Sequence, residues 1–201
     1  MADTALSGAH NASNVAAALT IVEAFGHDPR KLLHAVRSFR PLPHRLAAVG
    51  ERAGVIYVDD SIATTPEATL AALRSLAPRP TVVLVGGFDR GLDWGDFARQ
   101  MAHETPHALI AMGQNGPRIH AQLEDALAAI APAARPALKL VDTLEAAVRV
   151  AQQLAPPGGA VLLSPGAPSF DQYRNYAERG REFARLAGFT VGDDHIQGLG
   201  P

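Results

Sequence analysis

Two carboxylates and several hydroxyl groups are close together in the sequence, about a third of the way along the chain. Asp59 and Asp60 follow an apolar run and precede Ser61, Thr64 and Thr65. Carboxylates at the end of a strand can accept hydrogen bonds from ribose hydroxyls or hold a cation. Local structure requires only Thr65, as the N-cap of the next helix. The other polar residues are therefore candidates for binding, with a structural role as the open alternative.

A second segment combines two glycines with an arginine. Gly86 and Gly87 could let backbone amides approach an anion. The forked guanidinium of Arg90 could bind a carboxylate through two hydrogen bonds. The alternative is a surface arginine that pairs with Asp89 or Asp93.

The third segment runs from Ser164 to Asp171 and precedes a predicted helix. The N-terminus of that helix would direct amides and a partial positive charge towards a ligand, although Ser169 could be only its N-cap. Near the start of the chain, His44 and Arg45 could stack on or pair with a nucleotide, but this dipeptide alone is not specific.

The elements that must position these segments are those of an α/β protein. Beyond Pro43, β-branched runs alternate with helical patterns, which predicts a mostly parallel, Rossmann-like sheet of about six strands with helices on both faces. The predicted strands are Leu46–Glu51, Val55–Asp59, Thr81–Val85, Ala108–Met112, Leu138–Val141 and Ala160–Leu163, the first two forming a hairpin. The predicted helices are Pro66–Leu76, Trp94–Met101, Pro117–Ile130, Leu144–Leu154 and Asp171–Leu186. Ligands bind at the carboxyl ends of parallel strands, so the three segments should meet at one edge.

Residues before this sheet have a helical pattern. One helix is predicted from Asn11 to Phe25, and a second from Pro29 to Phe39 with Asp28 as N-cap. Pro41 and the residues around it suggest a connector. We therefore divide the chain into a helical segment and linker (1–41), an α/β domain (42–189) and a flexible tail (190–201).

Composition excludes several classes of function. The chain has 18 Lys and Arg against 20 Asp and Glu, a formal net charge of -2. It therefore lacks the excess of positive charge that is typical of proteins that bind nucleic acid or an anionic membrane. There is no cysteine, and the apolar runs are far short of the roughly 20 residues of a membrane helix. A cytoplasmic protein without membrane insertion is predicted. The chain contains no GxxxxGK[ST] phosphate loop and no clustered metal ligands, so we expect neither a catalytic residue nor a metal site within it.

Five segments, taken in order, resemble the C-terminal third of MurD-type ligases: Leu6–Asn14, Leu42–Arg45, Asp59–Thr69, Val85–Trp94 and Leu162–Gly180. The resemblance implies a three-domain enzyme that uses ATP and Mg²⁺ to add glutamate to UDP-N-acetylmuramoyl-L-alanine in peptidoglycan synthesis. It also implies that the phosphate loop and most magnesium ligands lie upstream. This chain would then hold the end of the central ATPase domain and the third domain, would require no cofactor of its own and would be inactive alone.

The resemblance assigns binding roles by position. Residues that correspond to the family's ATP (and ADP) contacts are Asn11, Asn14, His44, Arg45 and Asp60. Residues that correspond to its glutamate contacts are Thr64, Arg90, Ser169, Phe170 and Tyr176.

Two positions depart from the pattern of D-glutamate enzymes. That pattern has lysine at the positions of Ile62 and Arg90. Losing one cation and reshaping another should change how a dicarboxylate is oriented. The combination is similar to the variant group that adds L-glutamate, which we favour over an ordinary D-glutamate ligase.

Other classes remain as alternatives. A free-standing module could use the same edge to capture a nucleotide or amino acid, but the abrupt start at Leu6 favours part of a longer enzyme. A folylpolyglutamate synthetase-like domain fits the segments Leu42–Arg45 and Ser164–Tyr173 less well. A dinucleotide oxidoreductase is disfavoured because no GxGxxG motif follows the first strand.

Overall fold

The computed structural model describes residues 9–39, 42–190 and 197–198. Residue 41 of the predicted connector (residues 41–43) and most of the predicted tail therefore lie outside the described residues. The strands are β1 (Ala47–Arg52), β2 (Val55–Asp59), β3 (Thr81–Val85), β4 (Ala108–Ala111), β5 (Ala137–Leu140), β6 (Ala160–Leu163) and β7 (Gln197–Gly198). The helices are α1 (Ala9–Ala24), α2 (Leu33–Ser38), α3 (Pro66–Ser75), α4 (Gly95–Glu104), α5 (Gly116–Leu127), α6 (Leu144–Leu154) and α7 (Tyr176–Ala187).

The strands form one sheet in the order β5-β4-β3-β6-β2-β1-β7. The five strands from β5 to β2 are parallel, whereas β1 pairs antiparallel with β2 and with β7. The predicted mostly parallel sheet and its first hairpin are confirmed. β6, the last of the parallel strands in the chain, lies between β2 and β3, so it occupies the centre of the sheet.

The sheet is covered on both faces, as the continuous apolar runs of its central strands require. All residues of β3, β4 and β6 are buried. One core cluster joins α3, α4 and α5 to the sheet and includes Leu73, Phe97 and Ile119. The other joins α6 and α7 to the opposite face and includes Val148 and Phe183.

The last helix begins later than predicted. The sequence predicts a helix from Asp171, but α7 begins at Tyr176 because the Asn175 side chain accepts a hydrogen bond of 2.9 Å from the Glu178 amide. Residues before it form turns, in which the Ser169 carbonyl accepts from the Tyr173 amide at 2.8 Å. The predicted start of the helix at Asp171 is therefore wrong, and the alternative role of Ser169 as its N-cap is not observed.

The residues before the sheet form two helices and a short 3-10 segment. The second predicted helix is divided into a 3-10 turn, Pro29–Leu32, and α2. Asp28 caps the turn as predicted, since its side chain accepts from the Arg30 amide at 3.0 Å. No side chain described from residue 11 to residue 39 is buried.

We predict that the centre of the sheet contributes much more to stability than its edge. Leu162 in β6 has no exposed surface, so Leu162→Ala should lower the free energy of unfolding by about 2–5 kcal/mol. Leu140→Ala, at the end of edge strand β5 where the side chain is 45% exposed, is the matched control and should cost much less. Urea unfolding measures both, and equal losses would contradict the assignment of β6 to the core.

Candidate functional site

Three loops meet at the carboxyl edge of the sheet, because β2, β6 and β3 are parallel neighbours. They are the loop after β2 (60–65), the loop after β3 (86–93) and the loop after β6 (164–175). The Gly86 amide donates to the Pro165 carbonyl at 2.7 Å, and the Phe88 amide donates to the Pro168 carbonyl at 2.9 Å. The Thr69 hydroxyl, at the start of α3, donates to the Ser164 carbonyl at 2.9 Å. The predicted convergence of the three polar segments is confirmed.

Arg179 ties the loops together from beneath. Its side chain is 2% exposed and reaches from α7 into the sheet edge. Nε donates to Ser61 Oγ at 2.9 Å, and Nη2 donates to the Ser61 and Ala167 carbonyls at 2.8 and 2.9 Å. Nη1 donates to the Pro168 carbonyl at 3.1 Å. One guanidinium therefore holds the loops after β2 and β6 at a fixed separation.

The Arg179 guanidinium has carbonyl and hydroxyl partners where a buried arginine commonly has a carboxylate. Burial lowers the pKa of Arg179 to about 10, against the opposing attraction of Asp171 and Asp59. The group thus stays protonated at neutral pH. Its charge is balanced by the dipoles of the carbonyls that it binds.

Two glycines allow the loops to pack this closely. A Cβ on Gly87 would collide with the Pro168 carbonyl oxygen and lie 3.0 Å from Arg179 Nη1. A Cβ on Gly180 would collide with His44 Nδ1 and with the Asp59 carboxylate. Any larger side chain at either position would push the β3 loop or α7 away from the edge.

Asp60 lies between β2 and β6 rather than in open solvent. It is 4% exposed, and its two oxygens accept from Ser164 Oγ at 2.7 Å and from the Leu46 amide at 3.2 Å. Burial raises the pKa of Asp60 to about 7, although both hydrogen bonds and the nearby charge of Arg45 favour ionisation. Each oxygen has a second lone pair that remains able to accept a ligand hydroxyl.

The other predicted nucleotide residues occupy different environments. His44 is 3% exposed, and its Nδ1 lies 2.7 Å from Asp59 Oδ2, whereas Arg45 is exposed. The His44 ring contacts the edge of Tyr176, with centroids 5.9 Å apart. Asn11 and Asn14 share a face of α1, where the Asn14 amide donates to Asn11 Oδ1 at 3.5 Å.

The predicted glutamate residues line the same edge with different exposures. Ser169 is 2% exposed, Thr64 is partly buried, and Arg90 and Phe170 are exposed. The alternative pairing of Arg90 with Asp89 is not observed, because Asp89 binds Arg118 with an Nη2–Oδ1 distance of 2.6 Å.

The guanidinium of Arg90 is available for a ligand. Asp93, its other possible partner, accepts from the Gly95 amide at 2.8 Å instead. Within residues 42–190, no hydrogen bond or ion pair forms to the Arg90 side chain.

Sequence reasoning missed Arg179 and Asn115. A basic residue on a helix is ordinarily solvent-exposed, so Arg179 gave no signal of its own. The adjacent Gly180 gave only a weak one, because a glycine inside a helical pattern can have a packing reason. Asn115 Oδ1 accepts from the Gly87 amide at 2.8 Å and so holds the β3 loop.

Among the described residues, no group of three His, Asp or Glu side chains could hold a metal ion. No helix in the described part of the chain is long and apolar enough to cross a membrane.

Comparisons with known proteins agree on one family. The family model described as "Mur ligase, glutamate ligase domain" matches residues 44–166. The UDP-N-acetylmuramoyl-L-alanine–L-glutamate ligase of Xanthomonas euvesicatoria pv. vesicatoria is 52% identical over 201 residues, which cover 99% of this chain and 42% of the relative. The UDP-N-acetylmuramoylalanine–D-glutamate ligase of Rubrobacter xylanophilus is 39% identical over 182 residues, 90% of this chain and 39% of that protein. This chain thus spans about two fifths of the relatives that it matches.

Solved structures share the fold at low sequence identity. The UDP-N-acetylmuramate-alanine ligase of Thermotoga maritima aligns over 90% of this chain and 38% of its own, with a TM-score of 0.61 and 19% identity. A Mycobacterium tuberculosis folylpolyglutamate synthase aligns over 92% of this chain and 42% of its own, with a TM-score of 0.63 and 17% identity.

We predict that Arg179→Lys separates the loops even though it keeps the charge. An ammonium on a flexible stem cannot match the four acceptors of a planar guanidinium, so the free energy of unfolding should fall by about 3 kcal/mol. Amide hydrogen exchange at Phe88 should also become faster. Arg185→Lys on the same helix, where the side chain forms an exposed pair with Glu182, is the control and should change neither quantity. An unchanged urea midpoint in Arg179→Lys would contradict the role of Arg179 in joining the loops after β2 and β6.

Proposed function

The chain belongs to the Mur ligase family and contains its glutamate ligase domain. We therefore propose that it is the part of a cytoplasmic enzyme that binds glutamate and closes over the bound nucleotide. That enzyme adds glutamate to UDP-N-acetylmuramoyl-L-alanine in peptidoglycan synthesis. Residues 1–41 would belong to the central ATP-binding domain and linker, residues 42–189 would form the glutamate domain, and residues 190–201 would be a tail.

The reaction would proceed through an acyl phosphate. ATP phosphorylates the alanine carboxylate, and the glutamate amine attacks the resulting acyl phosphate. The tetrahedral intermediate collapses to an amide and releases phosphate, with ADP as the other product. Among the described residues, no group of three or more His, Asp or Glu side chains could hold a metal ion. Because Mg²⁺ commonly uses only one or two protein carboxylates together with phosphate oxygens, we assign the phosphate loop and most of the Mg²⁺ ligands to the other domains.

The observation that carries this proposal is that the nucleotide candidate Asp60 and the glutamate candidate Ser169 belong to loops joined at one edge of the sheet. Asp60 is hydrogen-bonded to Ser164 in the β6 loop, which also contains Ser169. Arg179 binds this same loop and Ser61. A domain that closes over ATP would thereby bring the glutamate residues to the reacting carboxylate in the same motion.

Each candidate has a role that suits its chemistry. Asp60 would accept the ribose hydroxyls, and the exposed Arg45 would pair with the nucleotide. The unpaired guanidinium of Arg90 would bind one carboxylate of glutamate through two hydrogen bonds. Thr64 and Ser169 would orient the amino acid through their hydroxyls.

We further propose that the substrate is L-glutamate. The reason is physical: a neutral Ile62 and a forked Arg90 offer a different arrangement of positive charge from two lysines. The name of the Xanthomonas relative at 52% identity, which specifies L-glutamate, also supports this choice. The Rubrobacter relative, at 39% identity, is named for D-glutamate.

We predict that the 201-residue chain alone releases no ADP from ATP with UDP-N-acetylmuramoyl-L-alanine and either enantiomer of glutamate, because it contains no phosphate loop. The complete ligase that contains this chain is the positive control in a coupled ADP assay. Turnover by the chain alone would refute its role as a partial enzyme. Binding of nucleotide or glutamate by a complete polypeptide that never ligates would instead favour a binding module.

We predict that the complete ligase prefers L-glutamate, measured as the ratio of kcat/KM for the two enantiomers. Ile62→Lys combined with Arg90→Lys should reduce this ratio, because L-glutamate loses its arginine contact while a second cation becomes available to D-glutamate. Both positions act on one ligand, so the single variants need not add. A wild-type ratio that favours D-glutamate would assign the protein to the D-glutamate group.

A further inference from the structure

Two aromatic side chains form a partly exposed pair at the carboxyl edge of the sheet. Phe170 is 66% exposed and Phe88 is partly buried, and their rings meet edge to face with centroids 6.2 Å apart. The neighbouring Trp94 and Phe97 are at most 2% exposed. A large aromatic surface left in solvent at a ligand-binding edge indicates a contact that forms on binding.

The position of the pair is set by the backbone framework beneath it. The Phe88 amide donates to the Pro168 carbonyl at 2.9 Å, and that carbonyl also accepts from Arg179 Nη1 at 3.1 Å. The next amide, of Asp89, donates to Gln114 Oε1 at 3.0 Å. The two rings thus belong to two loops whose backbones are joined by hydrogen bonds.

The surroundings of the pair indicate its ligand. Arg90, with no partner among the described residues, lies two positions after Phe88, and the buried hydroxyl of Ser169 directly precedes Phe170. In the loop after β2, Ile62 follows Ser61, whose carbonyl accepts a hydrogen bond from Arg179. The two loops that carry the apolar pair therefore also carry a free cation and a hydroxyl within two residues of the rings along the chain, a combination that suits a molecule with methylene groups between anionic ends.

We propose that Phe88 and Phe170 form an apolar wall that packs against the two side-chain methylenes of the glutamate substrate and so selects its length. This inference rests on the proposed function, and it extends that function to Phe88. The two hydrogen bonds of Arg90 would fix one carboxylate, but they make no contact with the methylenes and so do not measure the length of the side chain. A wall beside it rewards methylenes and penalises a carboxylate that would lose water against the rings. Aspartate, with one methylene, would either leave the wall or pull its carboxylate away from Arg90.

The test uses the complete ligase that contains this chain, with Phe88→Ala and Phe88→Leu. Losing contact with one or two methylenes corresponds to a roughly 4- to 15-fold increase in KM for glutamate. The KM for ATP should not change, and the preference for glutamate over aspartate in kcat/KM should fall. Phe88→Leu keeps an apolar surface and should retain most of the preference. Leu140→Ala, which removes an exposed apolar side chain from edge strand β5, is the control and should behave as wild type.

The outcomes separate this inference from the proposed function. A wild-type enzyme without glutamate-dependent ADP release would refute the proposed function itself. An active Phe88→Ala enzyme with unchanged KM for glutamate and an unchanged glutamate-to-aspartate ratio would refute only the wall, as would a rise confined to the KM for ATP or the UDP-linked substrate. If Phe88→Ala does not fold, Phe170→Ala tests the same wall at a more exposed position and should show the same loss of preference.

Discussion

The guanidinium of Arg179 is the interaction on which the carboxyl edge of this sheet depends. It joins a carbonyl and a hydroxyl of Ser61 to the carbonyls of Ala167 and Pro168. Burying a cation without a carboxylate in direct contact carries a desolvation cost, which these hydrogen bonds and the more distant charges of Asp171 and Asp59 offset. Three of the four acceptors are backbone carbonyls, and all four lie in the loops that follow the parallel strands β2 and β6. The loops that carry the proposed nucleotide and glutamate residues therefore behave as one rigid unit.

The fold was largely predictable because its central strands are buried on both faces. Runs such as Thr81–Val85 and Ala160–Leu163 contain only residues that suit this environment, and their bounds agree with the structure. The start of α7 was not predictable from periodicity, since the Asn175 side chain competes with the helical pattern that begins earlier. Hydrophobic spacing records which residues face the core, but it does not record where a polar side chain satisfies the first amides of a helix.

The candidate site was only partly predictable, for a related reason. The polar residues at strand ends were identifiable because the ends of parallel strands must meet. The different contacts of Asp59 and Asp60 were not predictable, because their partners His44 and Ser164 are distant in the sequence. Asp59 pairs with a buried histidine, and Asp60 joins two loops. Adjacent carboxylates with the same local sequence context thus have different partners.

The central place of β6 has a consequence for how the protein is made on the ribosome. β2 and β3 flank β6 and do not pair with each other, yet β6 is synthesised after both of them and after β4 and β5. Until it emerges, the nascent sheet exposes two open strand edges, each able to pair with another chain. Closing this gap requires contacts between residues far apart in the chain, which form slowly. A partly synthesised chain therefore has most of its strands, but the loops after β2 and β3 are not yet joined through the loop after β6. Protection by a chaperone would matter most at this stage.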